Sequence, residues 1–136
     1  MVTLGLVVAQ FNASVTEPMA ERARSAAAEA EADAEIGETV PVPGVYDAPL
    51  AADRLARRDD IDAVAVVGAI VTGDTDHDRV IGDATAQALT RVSLDRDTPV
   101  TFGVSGPGMS GAEARERVEK GAEAVNAAVQ MVRTLP

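Results

Sequence analysis

IDAVAVVGAIV, residues 61–71, is apolar at both alternating sets of positions apart from Asp62. A strand with one solvated face alternates apolar and polar side chains. An unbroken Val, Ala and Ile run of this length reads instead as a strand buried on both faces, as in a parallel sheet covered by helices. Parallel neighbours need crossover connections, so helices belong between the strands. Val- and Ile-rich runs near residues 3–9, 36–42 and 98–104 supply three more strands, and Ala-rich segments with helical spacing over roughly 14–33, 47–58, 77–94 and 109–134 supply the helices. The order β-α-β-α-β-α-β-α, with right-handed crossovers, places helices on both faces of one four-stranded parallel sheet.

The first helix is expected to open at Ser14 or Thr16, either of which can cap it, with Pro18 tolerated in its first turn. The second is expected to open at Asp47, with Pro49 just inside. No stretch reads as a linker, a low-complexity tract or a repeat, and 136 residues suit a single domain over 1–136. In open α/β sheets ligands bind outside the carboxyl ends of the strands. The unusual residues fall there: Gln10-Phe11-Asn12, Pro43 to Asp47, Thr72 to Asp78 and Phe102 to Met109. The single histidine (His77), the single tyrosine (Tyr46) and both phenylalanines (Phe11 and Phe102) lie in these segments or at the strand ends feeding them. That clustering argues for a binding face, against the plainer reading that the rings cap the sheet.

Twenty-two Asp and Glu against twelve Lys and Arg give a net charge of −10, which repels nucleic acid and anionic lipid. Lys120 is the only lysine. Such a composition, poor in large aromatics, suits high salt, where screening relieves the repulsion among carboxylates. An acidic enzyme of ordinary salt is the plainer alternative. The absence of cysteine excludes disulfides, thiolate metal sites and thiol catalysis. No stretch approaches the ~20 apolar residues of a membrane span. MVTLGLVVAQ lacks the basic start and cleavage site of a secretory leader and reads as a strand, so the expected location is the cytoplasm.

Thr72-Gly73-Asp74-Thr75-Asp76-His77 leads from the buried strand into a helix. Gly73 permits close backbone approach, and the N–H groups beyond it, with the Thr75 hydroxyl, suit a phosphate. A simple turn capped by Thr75 or Asp76 is the rival reading. The alternation Asp74, Asp76, Asp78 resembles a calcium loop, but Arg79 and Thr85 stand where that loop needs Gly and Glu, so no metal is expected. His77 can take up or release a proton near neutral pH. A helix start disfavours its cation, while Asp76 and Asp78 favour it. In the second loop, Pro43-Gly44 forces a turn before Tyr46 and Asp47, whose carboxylate either caps a helix or accepts hydrogen bonds from a polyol. Ser105-Gly106-Pro107-Gly108 has the composition of a phosphate loop but no following Lys-Ser/Thr, so it is not a nucleotide P-loop. Arg115, Arg117 and Lys120, read alone, are solvated partners of Glu113, Glu116 and Glu119.

VAQFN (8–12), VPGVYDAP (42–49) and GAIVTGDTDHD (68–78), continuing through PVTFGVSGPGM (99–109) to a helix ending VNAAVQMV, resemble in order the lumazine synthase family, its archaeal members above all. The resemblance implies a flavodoxin-like three-layer α/β/α sandwich. It also implies riboflavin biosynthesis: condensation of 5-amino-6-ribitylaminouracil with 3,4-dihydroxy-2-butanone 4-phosphate to 6,7-dimethyl-8-ribityllumazine, without cofactor or metal. It further implies a homo-oligomer, a pentamer or higher shell, with sites shared between subunits. Matched position by position, Phe11 stacks on the pyrimidine, with Asn12, Gly44, Val45, Tyr46 and Val71 around it. Asp47 holds ribityl hydroxyls, Gly73, Asp74 and Thr75 lie against the phosphate, and His77 moves protons. Phe102 comes from the neighbouring subunit, and Arg117, with Lys120, grips the phosphate.

Three departures qualify the match. Asp47 stands where many members have Glu, one methylene longer. Tyr46 replaces a common Phe. The segment Arg117 to Gly121 is shorter than in bacterial members, which leaves Arg115 as a rival phosphate ligand. The competing functions are an archaeal-type riboflavin synthase, a non-catalytic flavin- or lumazine-binding shell protein and a flavodoxin-like electron carrier. The GDTDH turn speaks against the first, and His77 with Arg117 against the second. AQFNAS, unlike a Ser/Thr-rich phosphate loop, speaks against the third.

Overall fold

Strands β1 (Val2–Ala9), β2 (Ala34–Val42), β3 (Ala63–Val71) and β4 (Val100–Met109) pair in parallel in the order β2-β1-β3-β4, in a computed structural model that describes residues 1–29, 31–73 and 77–136. Helices α1 (Ala13–Ala28), α4 (Gly111–Arg115) and α5 (Lys120–Thr134) cover one face, and α2 (Ala48–Ala56) and α3 (His77–Arg96) the other. The alternation of side chains along a strand divides the core in two. Leu4, Leu6, Ala65 and Val67 pack with Met19, Ala23, Val125 and Ala128, whereas Val7, Val64 and Val66 pack with Ala52, Leu55 and Leu89. The 61–71 stretch is the central strand, buried from Ala63 to Ile70. The result is the three-layer sandwich of flavodoxin-like order.

A core with so few rings is closed by bringing backbones together. A Cβ at Gly121 would lie 2.0 Å from the Met19 carbonyl oxygen, and one at Gly103 would lie 2.6 Å from the Ala124 Cβ. Those two glycines seat the start of α5 against α1 and β4.

The structure corrects four sequence expectations. Helix α1 is opened by Asn12, not by Ser14 or Thr16, both of which lie inside it. Asn12 sits in the left-handed region (φ 63°, ψ 48°) and turns its side chain away from the helix to donate to the Ala69 carbonyl at 3.1 Å. The helix also ends at Ala28 rather than near residue 33, which leaves room for β2 to start at Ala34. The expected helix 109–134 divides into α4 and α5. The intervening turn keeps i→i+3 bonds, Arg117 N–H to Ala114 at 3.0 Å and Lys120 N–H to Arg117 at 3.1 Å, so side-chain periodicity runs through the break almost undisturbed. Strand β4 does not end near residue 104 but runs on to Met109, with Phe102 inside it opposite Val66. Ser105 still pairs with Ala69, and Met109 pairs with Val71, with Gly106-Pro107-Gly108 bulging between them. Gly106 has φ +94°, and a Cβ there would fall 2.0 Å from the Ile70 carbonyl oxygen, so only glycine fits.

Candidate active site

The chain leaves β1 alongside β2: the Gln10 N–H donates to the Val42 carbonyl at 2.8 Å and the Phe11 N–H to the Pro43 carbonyl at 2.9 Å. Asn12 then reverses the direction into α1. Across from it Pro43-Gly44 turns into a short 3-10 segment, Val45–Asp47, that runs directly into α2. The Gly44 N–H donates to the Asp47 carboxylate at 3.0 Å. Asp47 therefore braces the turn before the helix, and no helix N–H of α2 bonds its side chain, as simple capping would require. Gly44 also seats an aromatic ring, since a Cβ there would lie 3.0 Å from the Phe11 Cδ2.

These loops and the end of β3 enclose a cleft of about 350 Å³. Phe11, Asn12 and Gly44 form one wall, Val45, Tyr46 and Asp47 a second, and Val71, Gly73 and His77 a third. Phe11 is 71% exposed and Tyr46 65%, so neither ring belongs to the core and both stand open at the cleft. His77 is the first residue of α3, with an exposed side chain. Asp74 and Thr75, also singled out by the sequence, lie with Asp76 outside the described residues. Asp78 and Ile81 line the cleft without having been anticipated as site residues. Ile81 could have been found from spacing, because a residue one turn beyond His77 shares its helix face.

Phe102, Arg117 and Lys120 do not line this cleft. Phe102 lies on edge strand β4 and is 36% exposed. Arg117 and Lys120 line a second cleft of about 430 Å³, over Val104, Ser105, Gly106 and Met109, whose other walls are Glu116, Glu119 and Glu123. Arg115 is absent from those walls. One chain thus carries two partial constellations. The first holds rings, a carboxylate and an imidazole; the second holds two cations.

The helices that carry Asp47 and His77 at their starts are tied together farther along. Asp53 of α2 accepts from Arg96 Nε of α3 at 2.8 Å and from Arg57 Nη2 at 2.7 Å. The Arg96 guanidinium, joined by Arg57, outweighs the cost of burial and holds the Asp53 carboxyl below the ordinary carboxylate value of 3.8.

Among the described residues no helix is long and apolar enough to cross a membrane. A family model described as 6,7-dimethyl-8-ribityllumazine synthase matches residues 1–136. The protein of that name from Halobacterium salinarum is 76% identical over 135 residues, 99% of this chain and 100% of its own. That from Halorubrum lacusprofundi is 76% identical over 131 residues, 96% of each chain. A more distant one, from Methanosarcina barkeri, is 46% identical over 134 residues, 98% of each chain. With its sheet order and the match over residues 1–136 in agreement, the chain belongs to the 6,7-dimethyl-8-ribityllumazine synthase family.

Proposed function

We propose that the protein is a transferase of riboflavin biosynthesis that condenses 5-amino-6-ribitylaminouracil with 3,4-dihydroxy-2-butanone 4-phosphate to 6,7-dimethyl-8-ribityllumazine, releasing phosphate and water. The observation that carries the reading is the meeting of Phe11, Asp47 and His77 in one cleft at the carboxyl ends of β1 and β3. Phe11 stacks on the pyrimidine, and the outward oxygen of Asp47 accepts ribityl hydroxyls while the other holds the Gly44 N–H. The 5-amino group attacks the ketone and water leaves to give an imine. Loss of the proton next to the imine expels the phosphate and leaves an enol, which takes up a proton to become a methyl ketone. The ribityl-bearing nitrogen attacks that carbonyl and closes the ring with loss of a second water. His77 takes and returns these protons. Much of the rate comes from holding two reactants in register, for which orientation supplies up to ~7–11 kcal/mol. Asp74 and Thr75 belong to the phosphate side of this reading, with Gly73.

Because Arg117 and Lys120 open onto a different cleft, they serve the site of an adjacent subunit, and Phe102 on its edge strand closes that site in the same way. The protein therefore works as a ring, a pentamer or a shell of pentamers. The Halorubrum and Halobacterium relatives at 76% identity come from halophilic archaea, and a charge of −10 per chain makes assembly easier as salt rises. A cytoplasmic location suits a chain with these substrates. The test is one cuvette: purified protein with both substrates should develop lumazine absorbance and fluorescence. If it converts added lumazine to riboflavin and makes none from the two precursors, it is a riboflavin synthase. If it does neither while binding lumazine, it is a carrier.

A further inference from the structure

Three buried hydroxyls have no hydrogen-bond partner among the described residues: Thr16, Thr85 and Ser105. The two threonines sit in helices, where a side-chain rotation reaches the carbonyl one turn back. Ser105 lies in β4, whose own carbonyls point along the sheet, and has no such local recourse. A buried hydroxyl without a partner is destabilising and calls for an explanation. Its surroundings supply one. Val104 packs into the α2/α3 layer, so the alternation of the strand turns Ser105 to the α5 side. There it lines the cleft of Arg117 and Lys120, and Gly103 lets the first turn of α5 close onto the strand, with the Lys120 carbonyl 3.2 Å from where a Cβ would be.

We propose that the Ser105 hydroxyl is a third donor, beside Arg117 and Lys120, to the phosphate of the substrate. The inference rests on the phosphate reading of that cleft given above. A neutral donor has a particular use here. Glu116, Glu119 and Glu123 also line the cleft, and although Glu119 is ion-paired with Arg22, the carboxylates offset the two cations. At ~1 M salt the Debye length is ~3 Å, so the attraction of exposed cations is largely screened, whereas a hydrogen bond made at contact keeps its worth. Ser105 thus supplies phosphate recognition that survives the salt an acidic chain of this kind tolerates.

The test uses the assembled protein with inorganic phosphate, its affinity measured by calorimetry and by the phosphate-dependent rise in Tm. Ser105→Ala should weaken phosphate roughly ten-fold, the factor expected for one hydrogen bond to a charged group. The Tm of the phosphate-free protein should hold or rise, because an unpartnered hydroxyl has been removed. Ser105→Cys, which keeps the volume and offers only a weak donor, should reproduce the loss, and Thr85→Val should leave phosphate affinity unchanged. Raising salt should shrink the effect of Arg117→Ala and leave that of Ser105→Ala. If both Ser105 variants bind phosphate as the wild type does while Arg117→Ala loses it, the role of Ser105 is refuted and the phosphate reading stands. If Arg117→Ala also binds phosphate normally, the phosphate reading itself fails.

Discussion

Asn12 carries two loads that substitutions can separate. Its backbone is left-handed, a conformation that costs an ordinary L-residue about 1–2 kcal/mol and that asparagine tolerates better than most. Its side chain donates to the Ala69 carbonyl at 3.1 Å, a partly buried bond worth about 1 kcal/mol. Asn12→Ala removes the bond and imposes the strain, so it should destabilise the protein by about 2–3 kcal/mol. Asn12→Gly loses the bond but accepts the backbone, at an added cost in unfolded-chain entropy, and should lose only about 1–1.5 kcal/mol. Urea denaturation at fixed protein concentration reads both values, concentration being held constant because assembly contributes to stability. The same residue sets the direction of the chain just after Phe11. The KM for the pyrimidine substrate should therefore rise in both variants, and more in the alanine. A glycine variant as unstable as the alanine would refute the backbone argument, and an alanine variant within about 0.5 kcal/mol of the wild type would refute both.

His77→Ala should slow turnover at saturating substrates by ~10²-fold or less, since positioning remains; wild-type rates would remove His77 from proton transfer. Arg117→Ala should raise the KM for the phosphorylated ketone more than that for the pyrimidine, with Arg115→Ala the milder change because Arg115 does not line the cleft; titrations in the reverse order would reassign the ligand. Gly44→Ala keeps an ordinary extended backbone (φ −145°) but puts a methyl 3.0 Å from the Phe11 Cδ2, so it should weaken pyrimidine binding several-fold with little change in Tm. Asp53→Asn should cost about 1 kcal/mol at neutral pH. Because the folded-state pKa of Asp53 is depressed, its stabilisation is complete above the ordinary 3.8 and lost as pH falls through the lowered value, so the wild-type advantage should hold at neutral pH and disappear in acid.

The sheet was legible because β3 is an unbroken apolar run, which no half-exposed strand would show. The first cleft was legible because a chain with one histidine, one tyrosine and two phenylalanines puts Phe11, Tyr46 and His77 at strand ends. The start of α1 was not, because Ser14 and Thr16 are good caps by type, and only the fold reveals that Asn12 is drawn to a carbonyl on β3, 57 residues away. The break between α4 and α5 was hidden because a short i→i+3 turn preserves helical periodicity. Gly106-Pro107-Gly108 read as loop because glycine and proline interrupt strands, yet a bulge accommodates them at an edge. Residues that come from different elements, such as Ile70 of β3 and Asp78 of α3 around one cleft, need the tertiary structure before they can be grouped.

The central claim, that one active site is built from two subunits, is tested most directly by mixing two defective proteins. His77→Ala and Arg117→Ala are unfolded together and refolded as mixed rings, and lumazine formation is followed at a phosphorylated-ketone concentration well below the KM of Arg117→Ala, where both parents are slow. If His77 and Arg117 of one site belong to different chains, about a quarter of the sites in a random ring receive both wild-type residues, and activity should rise far above either parent. Activity no greater than the average of the two parents would place both residues in the site of a single chain and contradict the shared-site account.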